Sequence, residues 1–221
     1  MILPFLLTVL LSPLQDEEKA FDLVGKAWDR LQESPVISIH ARMVTDGGDL
    51  GEDSTIDYDM LLKRPDHFRM VSSTGNRRAL SIGDGVHVSS WYSYRDKPVK
   101  IDQTKRDILG LLPKGSLIKL FYKGRPTNLS AIQLLIPLKP DTVRVSRTKF
   151  EGQECDHIWM ESSIGSIQIW IDAGNRIVKI REALEVQAKS KVISSQITTY
   201  TSIRYSPKWK EEDFVFTPPE K

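Results

Sequence analysis

The side chains that most often carry acid–base, nucleophilic or metal chemistry are scattered along this 221-residue sequence. Its histidines show no His-x-x-x-His pair and no acidic neighbour at ligand spacing; they are His40, His67, His87 and His157. Asp57 and Asp59 could suggest a calcium site, but on an alternating strand they form its solvated side. We therefore expect no catalytic residues and no metal site.

Motifs for covalent catalysis or cofactor binding are also missing from the sequence. It contains no Gly-x-Ser-x-Gly, no phosphate-binding loop that ends in Lys-Ser or Lys-Thr, and no dinucleotide fingerprint. The lone Cys155 excludes an intramolecular disulfide, a four-cysteine zinc site and a Cys-x-x-Cys redox pair, and we expect it to be buried as a small apolar residue. We predict no cofactor and no enzymatic activity; a hydrolase with an unrecognised site is the enzymatic alternative.

The composition narrows the class of protein further. The 31 basic and 29 acidic side chains leave a net charge of only +2, so no overall field favours nucleic acid, and we expect no nucleic-acid partner. With 40% apolar and 27% charged residues, the chain is typical of a folded protein rather than a disordered one. We predict a single domain over residues 16–221.

Arg64 breaks the pattern of the strand that precedes it. Four apolar residues of the same parity come before it: Ile56, Tyr58, Met60 and Leu62. A continuing strand would direct the Arg64 guanidinium to the apolar side, where it needs backbone carbonyls, a carboxylate or a ligand headgroup as acceptors. Alternatively, Pro65 bends the end of the strand and Arg64 extends its charge into water.

The N-terminus begins with an apolar stretch. Residues 1–15 are predicted to be a signal peptide, although an atypical one, because no Lys or Arg precedes the apolar run. Pro4 and Pro13 disfavour a regular buried helix there. From Asp16 to about Glu33 the apolar spacing predicts an amphipathic helix, which Ser34-Pro35 ends.

From Val36 onwards the apolar residues recur at every second position, which predicts an antiparallel meander in each half of the chain. Residues 104–140 differ, because they are apolar and repeatedly broken by proline and glycine. This permits only short helices, over about 104–112, 116–123 and 128–136, which must rest on an apolar surface because helices this short are not stable alone. We interpret residues 104–140 as a helical lid over the sheet.

Several stretches in this order resemble the LolA/LolB-like periplasmic lipoprotein carrier family. They are Lys63-Arg64-Pro65-Asp66-His67-Phe68 after an alternating strand, Leu80–Val88 before Trp91-Tyr92-Ser93-Tyr94, and Asp213–Pro219 at the end of the chain. The resemblance implies a mainly β (α+β) fold: a half-open antiparallel β-barrel with an N-terminal amphipathic helix and a helical lid. It also implies that the arginine of the Lys-Arg-Pro stretch, here Arg64, bonds the lid and controls cargo.

On this basis we expect two sets of apolar residues to form a ligand cavity and its lid. The cavity set is Ile56, Tyr58, Met60, Leu62, Phe68, Met70, Leu80, Ile82, Val88 and Tyr92, with Ile167, Ile169 and Ile171 opposite. The lid set is Ile108, Leu111, Leu112, Leu117, Leu120 and Phe121. The alternative is that these side chains simply form a filled core.

The function predicted from these observations is an exported, soluble, periplasmic carrier. It binds acyl chains of lipoproteins or another lipid, acts as a monomer, and could exchange cargo with an inner-membrane donor and an outer-membrane acceptor protein. The alternative is a lipid-sensing regulatory protein of the cell envelope on the same fold, in which lipid occupancy changes binding to a regulator.

Overall fold

The computed structural model describes residues 3–47, 52–102, 112, 116–122, 141–188 and 191–217. Helix α1 spans Leu3–Gln32 and begins earlier than the sequence predicts. The chain is helical despite its two prolines: Pro4 lies in the first turn, where its missing N–H breaks no intrahelical bond, and the helix continues through Pro13. The end of α1 agrees with prediction, since Ser34-Pro35 follows within two residues.

The first half of the sheet is a meander of six strands. Each pairs antiparallel with the next; they are β1 (Val36–Asp46), β2 (Ser54–Lys63), β3 (His67–Thr74), β4 (Arg77–Asp84), β5 (His87–Tyr92) and β6 (Val99–Asp102). Pro65-Asp66 and Gly75-Asn76 lie between strands, as predicted. Gly85, in the turn between β4 and β5, has a φ of +86°, which a residue without a Cβ adopts easily.

The second half is a meander of five strands. They are β7 (Thr142–Phe150), β8 (Gln153–Ser162), β9 (Gly165–Asp172), β10 (Ile177–Ala188) and β11 (Lys191–Tyr205). Because β11 returns to pair with β1, all eleven strands form one sheet in the order β6-β5-β4-β3-β2-β1-β11-β10-β9-β8-β7. Within the described residues, the edge strands β6 and β7 do not pair with each other. This is the half-open antiparallel architecture that the sequence predicts.

The strand register places most of the predicted apolar residues on one face, which we call the inner face. Met60 lies opposite Met70, and Leu62 lies opposite Phe68. Residues directly opposite in an antiparallel pair project to the same side of a sheet. Helix α1 covers this face with a buried stripe that consists of Ala20, Val24, Ala27, Trp28 and Leu31.

Two residues of the predicted cavity set lie on the other face, so that part of the prediction is wrong. Phe68 and Met70 pair with Gly83 and Ser81, which gives Leu80 and Ile82 the opposite orientation. The sequence misled because both strands alternate regularly, and alternation alone does not say which set faces inwards. Leu80 and Ile82 are nevertheless buried, being 8% and 4% exposed.

The C-terminal segment covers this outer face near β3 and β4. A 3-10 helix over Glu211–Phe214 contacts both strands, and its Phe214 is buried. The His67 ring lies edge-on to Phe214 with the centroids 5.7 Å apart, and Lys63 Nζ lies 4.2 Å from the centroid of the Trp209 ring. The outer face is therefore apolar where the chain end covers it.

Candidate functional site

The candidate site is the inner face together with helix α2, which spans Ser116–Tyr122. This helix matches one of the three helices predicted for the lid, whereas the other two, with Ile108 and Leu111, lie outside the described residues. The four lid-side apolar residues of α2 are almost fully buried: Leu117 0%, Ile118 1%, Leu120 1% and Phe121 0% exposed. They belong, with buried Leu112, to the same core cluster as α1 and the inner-face residues.

Arg64 joins the end of α1 to α2. Its guanidinium donates hydrogen bonds to the backbone oxygens of Gln32 (2.7 Å), Leu31 (3.3 Å) and Ser34, and to the Gln32 side-chain oxygen. A cation at this position donates to the unpaired carbonyls at the C-terminal end of a helix and interacts favourably with the negative end of the helix dipole. Its Cζ also lies 4.8 Å from the centroid of the Phe121 ring.

The resemblance implies that Arg64 bonds the lid; among the described residues, its side-chain hydrogen bonds go to the end of α1 and to Ser34. Contact with the described lid helix is a cation–π interaction, which contributes roughly 0.5–2 kcal/mol depending on solvation. The alternative in which Arg64 points into water is wrong, because its guanidinium bonds protein oxygens. The sequence could not indicate that the end of α1 supplies these acceptors. The reason is tertiary: Arg64 N also bonds the Pro35 oxygen at 3.0 Å, which holds the end of β2 beside the end of α1.

Two further hydrogen bonds connect α2 to the rest of the protein, and the sequence analysis missed both. Gln32 Nε2 donates to the Leu120 oxygen at 3.2 Å, and the Tyr122 hydroxyl donates to the His67 oxygen at 2.8 Å. We call Arg64, Gln32 and Tyr122 the latch. No motif marks Gln32 or Tyr122, because each acts on a backbone oxygen far away in sequence.

The electrostatics keep the latch in one protonation state near neutral pH. Burial raises the pKa of the Tyr122 hydroxyl far above its usual value; the Asp66 carboxylate raises it further and the Arg64 charge opposes the shift. The hydroxyl therefore stays protonated and can donate. Burial lowers the pKa of the Arg64 guanidinium, and Tyr122 partly offsets this. An arginine remains charged after such a shift.

Among the described residues, three buried side-chain polar atoms have no hydrogen-bond partner; one is Trp159 Nε1 on β8, and the other two lie in the core. They are Trp28 Nε1, on the α1 face that covers the sheet, and the Tyr200 hydroxyl, on β11. Trp28 is 1% exposed and Tyr200 is fully buried. A buried donor without an acceptor costs about 1–3 kcal/mol, so both side chains offer unused hydrogen-bonding capacity inside an otherwise apolar core.

Most of the cavity set comes together on the inner face. Its fully buried members are Met60, Leu62, Phe68, Val88, Ile167, Ile169 and Ile171. Ile56, Tyr58, Met70 and Tyr92 are half-buried. On this face α1 and α2 supply the facing side chains, so in this structure the helices occupy the surface that the sequence analysis assigned to a ligand.

Across the described ranges, no group of three or more histidine, cysteine, aspartate and glutamate side chains could hold a metal ion. His40 Nδ1 contacts Asp59 at 3.0 Å on the outer face. Cys155 is a buried free thiol, as predicted, and its pKa is raised by burial and then by the nearby Asp172 carboxylate.

The chain belongs to the family described as predicted periplasmic protein (DUF2092), whose model matches residues 22–221. This places the protein in the periplasm, in agreement with the prediction from sequence. Among the helices that the structure describes, none has both the length and the apolar character needed to cross a membrane. No curated protein matches the chain.

Solved structures similar to this chain include two mycobacterial proteins, one of them a lipoprotein. LppX from Mycobacterium tuberculosis has a TM-score of 0.52 at 12% identity, and the match covers 86% of this chain and 96% of LppX. LprF from Mycobacterium bovis has a TM-score of 0.50 at 9% identity over 87% of this chain and 95% of LprF. A LolA superfamily protein from Nitrosomonas europaea matches at 7% identity and a TM-score of 0.39, over 88% of this chain and 96% of that one. The eleven-stranded antiparallel order of the sheet and the N-terminal helix confirm the half-open fold that the resemblance implies.

Proposed function

We propose that the protein is a periplasmic carrier that binds acyl chains of a lipoprotein or another lipid on its inner face, in the place that α2 occupies in this structure. The observation that carries the proposal is α2 itself. It is a seven-residue helix, too short to be stable alone, yet its four apolar side chains are almost completely buried. A short helix held by a few polar contacts can leave an apolar surface without disrupting the sheet.

The energies of the exchange support this proposal. Fully burying one leucine, isoleucine or phenylalanine side chain contributes about 1.5–3 kcal/mol, so four such residues contribute roughly 6–12 kcal/mol. An acyl chain contributes about 0.8 kcal/mol per buried methylene, which amounts to roughly 8 kcal/mol for ten. The contribution of the acyl chain falls within the range for the four side chains, so α2 and a bound chain can replace one another at a small net cost. A carrier needs such a balance because it must also release its cargo.

In this proposal the latch sets the balance between the empty and the loaded protein. The Arg64–Phe121 contact and the hydrogen bonds of Gln32 and Tyr122 stabilise α2 on the inner face and thereby favour release. The cavity is formed by the inner-face members of the predicted set, and Trp28 and Tyr200 could donate to polar atoms at the head of the cargo. Residues 1–15 are proposed to direct export, and the protein is proposed to act as a monomer between membrane donor and acceptor proteins.

Native mass spectrometry of the full chain purified from its own host tests the proposal directly. We expect a bound species with the mass of a lipid or a lipid-modified protein, and we expect its transfer to acceptor membranes. A stable complex with a membrane regulator, without transfer, would instead support the lipid-sensing alternative. Ester or glycoside hydrolysis that is abolished by a single carboxylate or serine substitution would overturn the non-enzymatic assignment.

A further inference from the structure

A pocket of about 250 Å³, lined by both polar and apolar residues, lies on the outer face of the sheet, across the strands where its two halves meet. Ser38 on β1 pairs with Arg204 on β11 and with Leu61 on β2. Leu61 in turn pairs with Arg69 on β3. These four residues form one row across four strands, so the two arginines project from the same side, with serine and leucine between them.

A β-bulge opens the pocket at this row. The register between β1 and β11 shifts between Ser38 and His40, because one residue on β1 faces two residues on β11. Ser202, one of those two, has a φ of +51°, in the left-handed region that a serine rarely adopts. A bulge bends its strand and redirects side chains, and here it brings Ser202 to the rim of the pocket.

The charges around the pocket are unbalanced. Within the described residues, neither Arg69 nor Arg204 makes a hydrogen bond or an ion pair that would neutralise it. The acidic group at the rim is Asp59, whose carboxylate already contacts His40 Nδ1 at 3.0 Å. The next carboxylate, that of Asp57, accepts hydrogen bonds from Arg42 at 2.7 and 3.2 Å. Both carboxylates therefore already have a partner. The guanidiniums of Arg69 and Arg204 have no acceptor among the described residues.

From this arrangement we infer that the pocket is an anion-binding site for a phosphate-bearing group, held by Arg69 and Arg204 with the hydroxyls of Ser38 and Ser202 as additional donors. Planar guanidinium groups bind phosphate oxygens through paired hydrogen bonds, and hydroxyls complete such sites. The volume is below that of a pocket for a drug-sized ligand, which suits a headgroup or a small phosphate. The site is on the opposite face from α2 and does not depend on the proposed carrier function.

A phosphate titration of the full chain, followed by the backbone amide signals in NMR, tests the inference. Inorganic phosphate should shift the signals of Ser38, His40 and Ser202 more than chloride does at the same ionic strength. Arg69→Gln and Arg204→Gln should each weaken binding by at least about fivefold, because each removes a charge-assisted contact. Arg77→Gln is the matched control, since it removes the same charge from an exposed position at the far end of β4 and should leave the affinity within about twofold.

Vesicles distinguish the two sources of such a group. If the ligand is a lipid headgroup, the protein should float with phosphatidylglycerol-containing vesicles but not with pure phosphatidylcholine, and either arginine substitution should abolish this. If inorganic phosphate binds and vesicles do not, the ligand is a small soluble phosphate. Equal affinity in all variants, or phosphate shifts confined to other regions, overturns the site. Arg204 is exposed, so Arg204→Gln keeps the test available if Arg69→Gln fails to fold.

Discussion

The guanidinium of Arg64 lies over the ring of Phe121 while its N–H groups bond the last carbonyls of α1. One side chain thus has two separate tasks. The hydrogen bonds to α1 are part of the scaffold and should persist whatever occupies the inner face. The contact with Phe121 exists only when α2 is in place.

Arg64→Leu removes both tasks, whereas Arg64→Lys retains the charge but loses the planar fork. We expect Arg64→Leu to lower the free energy of unfolding by about 1–3 kcal/mol, because carbonyls of α1 lose their donors. The substitution should also destabilise α2 on the inner face. If this destabilisation is about 1 kcal/mol, the affinity for an acyl probe rises about fivefold and release slows. Denaturant unfolding and probe release to acceptor vesicles measure the two effects. Arg64→Lys should fall between wild type and Arg64→Leu in both measurements, and unchanged release in Arg64→Leu would refute its role in the latch.

Tyr122→Phe tests the hydrogen bond from α2 to the His67 oxygen. Losing this bond should cost about 1 kcal/mol and should act locally, because α2 can open without unfolding the sheet. Hydrogen–deuterium exchange should therefore increase about fivefold at residues 116–122 and remain unchanged in α1.

Tyr205→Phe is the matched control for Tyr122→Phe. The Tyr205 hydroxyl lies 2.8 Å from the backbone nitrogen of Ile177, on the other half of the sheet. The chemical change is identical, but α2 is not its neighbour. Equal exchange at residues 116–122 in both variants would mean that the Tyr122 hydroxyl does not hold α2.

Leu120→Asp places a charge on the buried side of α2. Leu120 is 1% exposed, and a carboxylate there must leave the apolar surface or become protonated. Since α2 and the acyl chain compete for the inner face in the proposed function, weaker packing of α2 favours the bound chain, so we expect binding of an apolar fluorescent probe to tighten by at least about tenfold. The conservative change Leu120→Met at the same position should leave binding nearly unaltered. Unchanged binding by Leu120→Asp would mean that α2 does not compete with the cargo for the inner face.

Asp172 predicts a pH dependence of stability. Burial alone would raise its pKa, but hydrogen bonds from the Arg176 side chain and from backbone N–H groups outweigh this and hold the pKa below the usual 3.8. The carboxylate therefore stabilises the fold fully above about pH 3.8 and loses this contribution as the pH falls through its folded-state pKa. Asp172→Asn should lower the free energy of unfolding by about 1–3 kcal/mol at pH 7 and flatten the acid limb of the stability curve. The same substitution at exposed Asp22 should do neither; an unchanged acid limb in Asp172→Asn would contradict the prediction.

The sequence predicts the architecture well because the relevant signals are local. Alternation over Ile56–Leu62 and the turn at Gly75-Asn76 each identify an element from its own residues. The sidedness of β4 could not be predicted in this way, since Leu80 and Ile82 are as apolar as an inner set and lie on a strand that the 3-10 helix of residues 211–214, more than 120 positions away, contacts.

The candidate site could be predicted only in part, because some of its signals are local in sequence and others are tertiary. Arg64 was identified because its parity conflicts with its charge, and that conflict is visible within one strand. Its acceptors, and the contributions of Gln32 and Tyr122, depend on how the ends of α1, β2 and α2 meet. Such tertiary contacts leave no periodic signal in a single sequence.

The strand order also determines how this chain can fold. Within the described strands, every pairing joins sequence neighbours except the ladder between β1 and β11, whose members are separated by more than 140 residues. We therefore expect the two meanders to form from local contacts, and the entropically costly pairing of β1 with β11 to join them later. Substitutions that weaken the β1–β11 ladder should slow or abolish this late docking while each meander still acquires its hairpins.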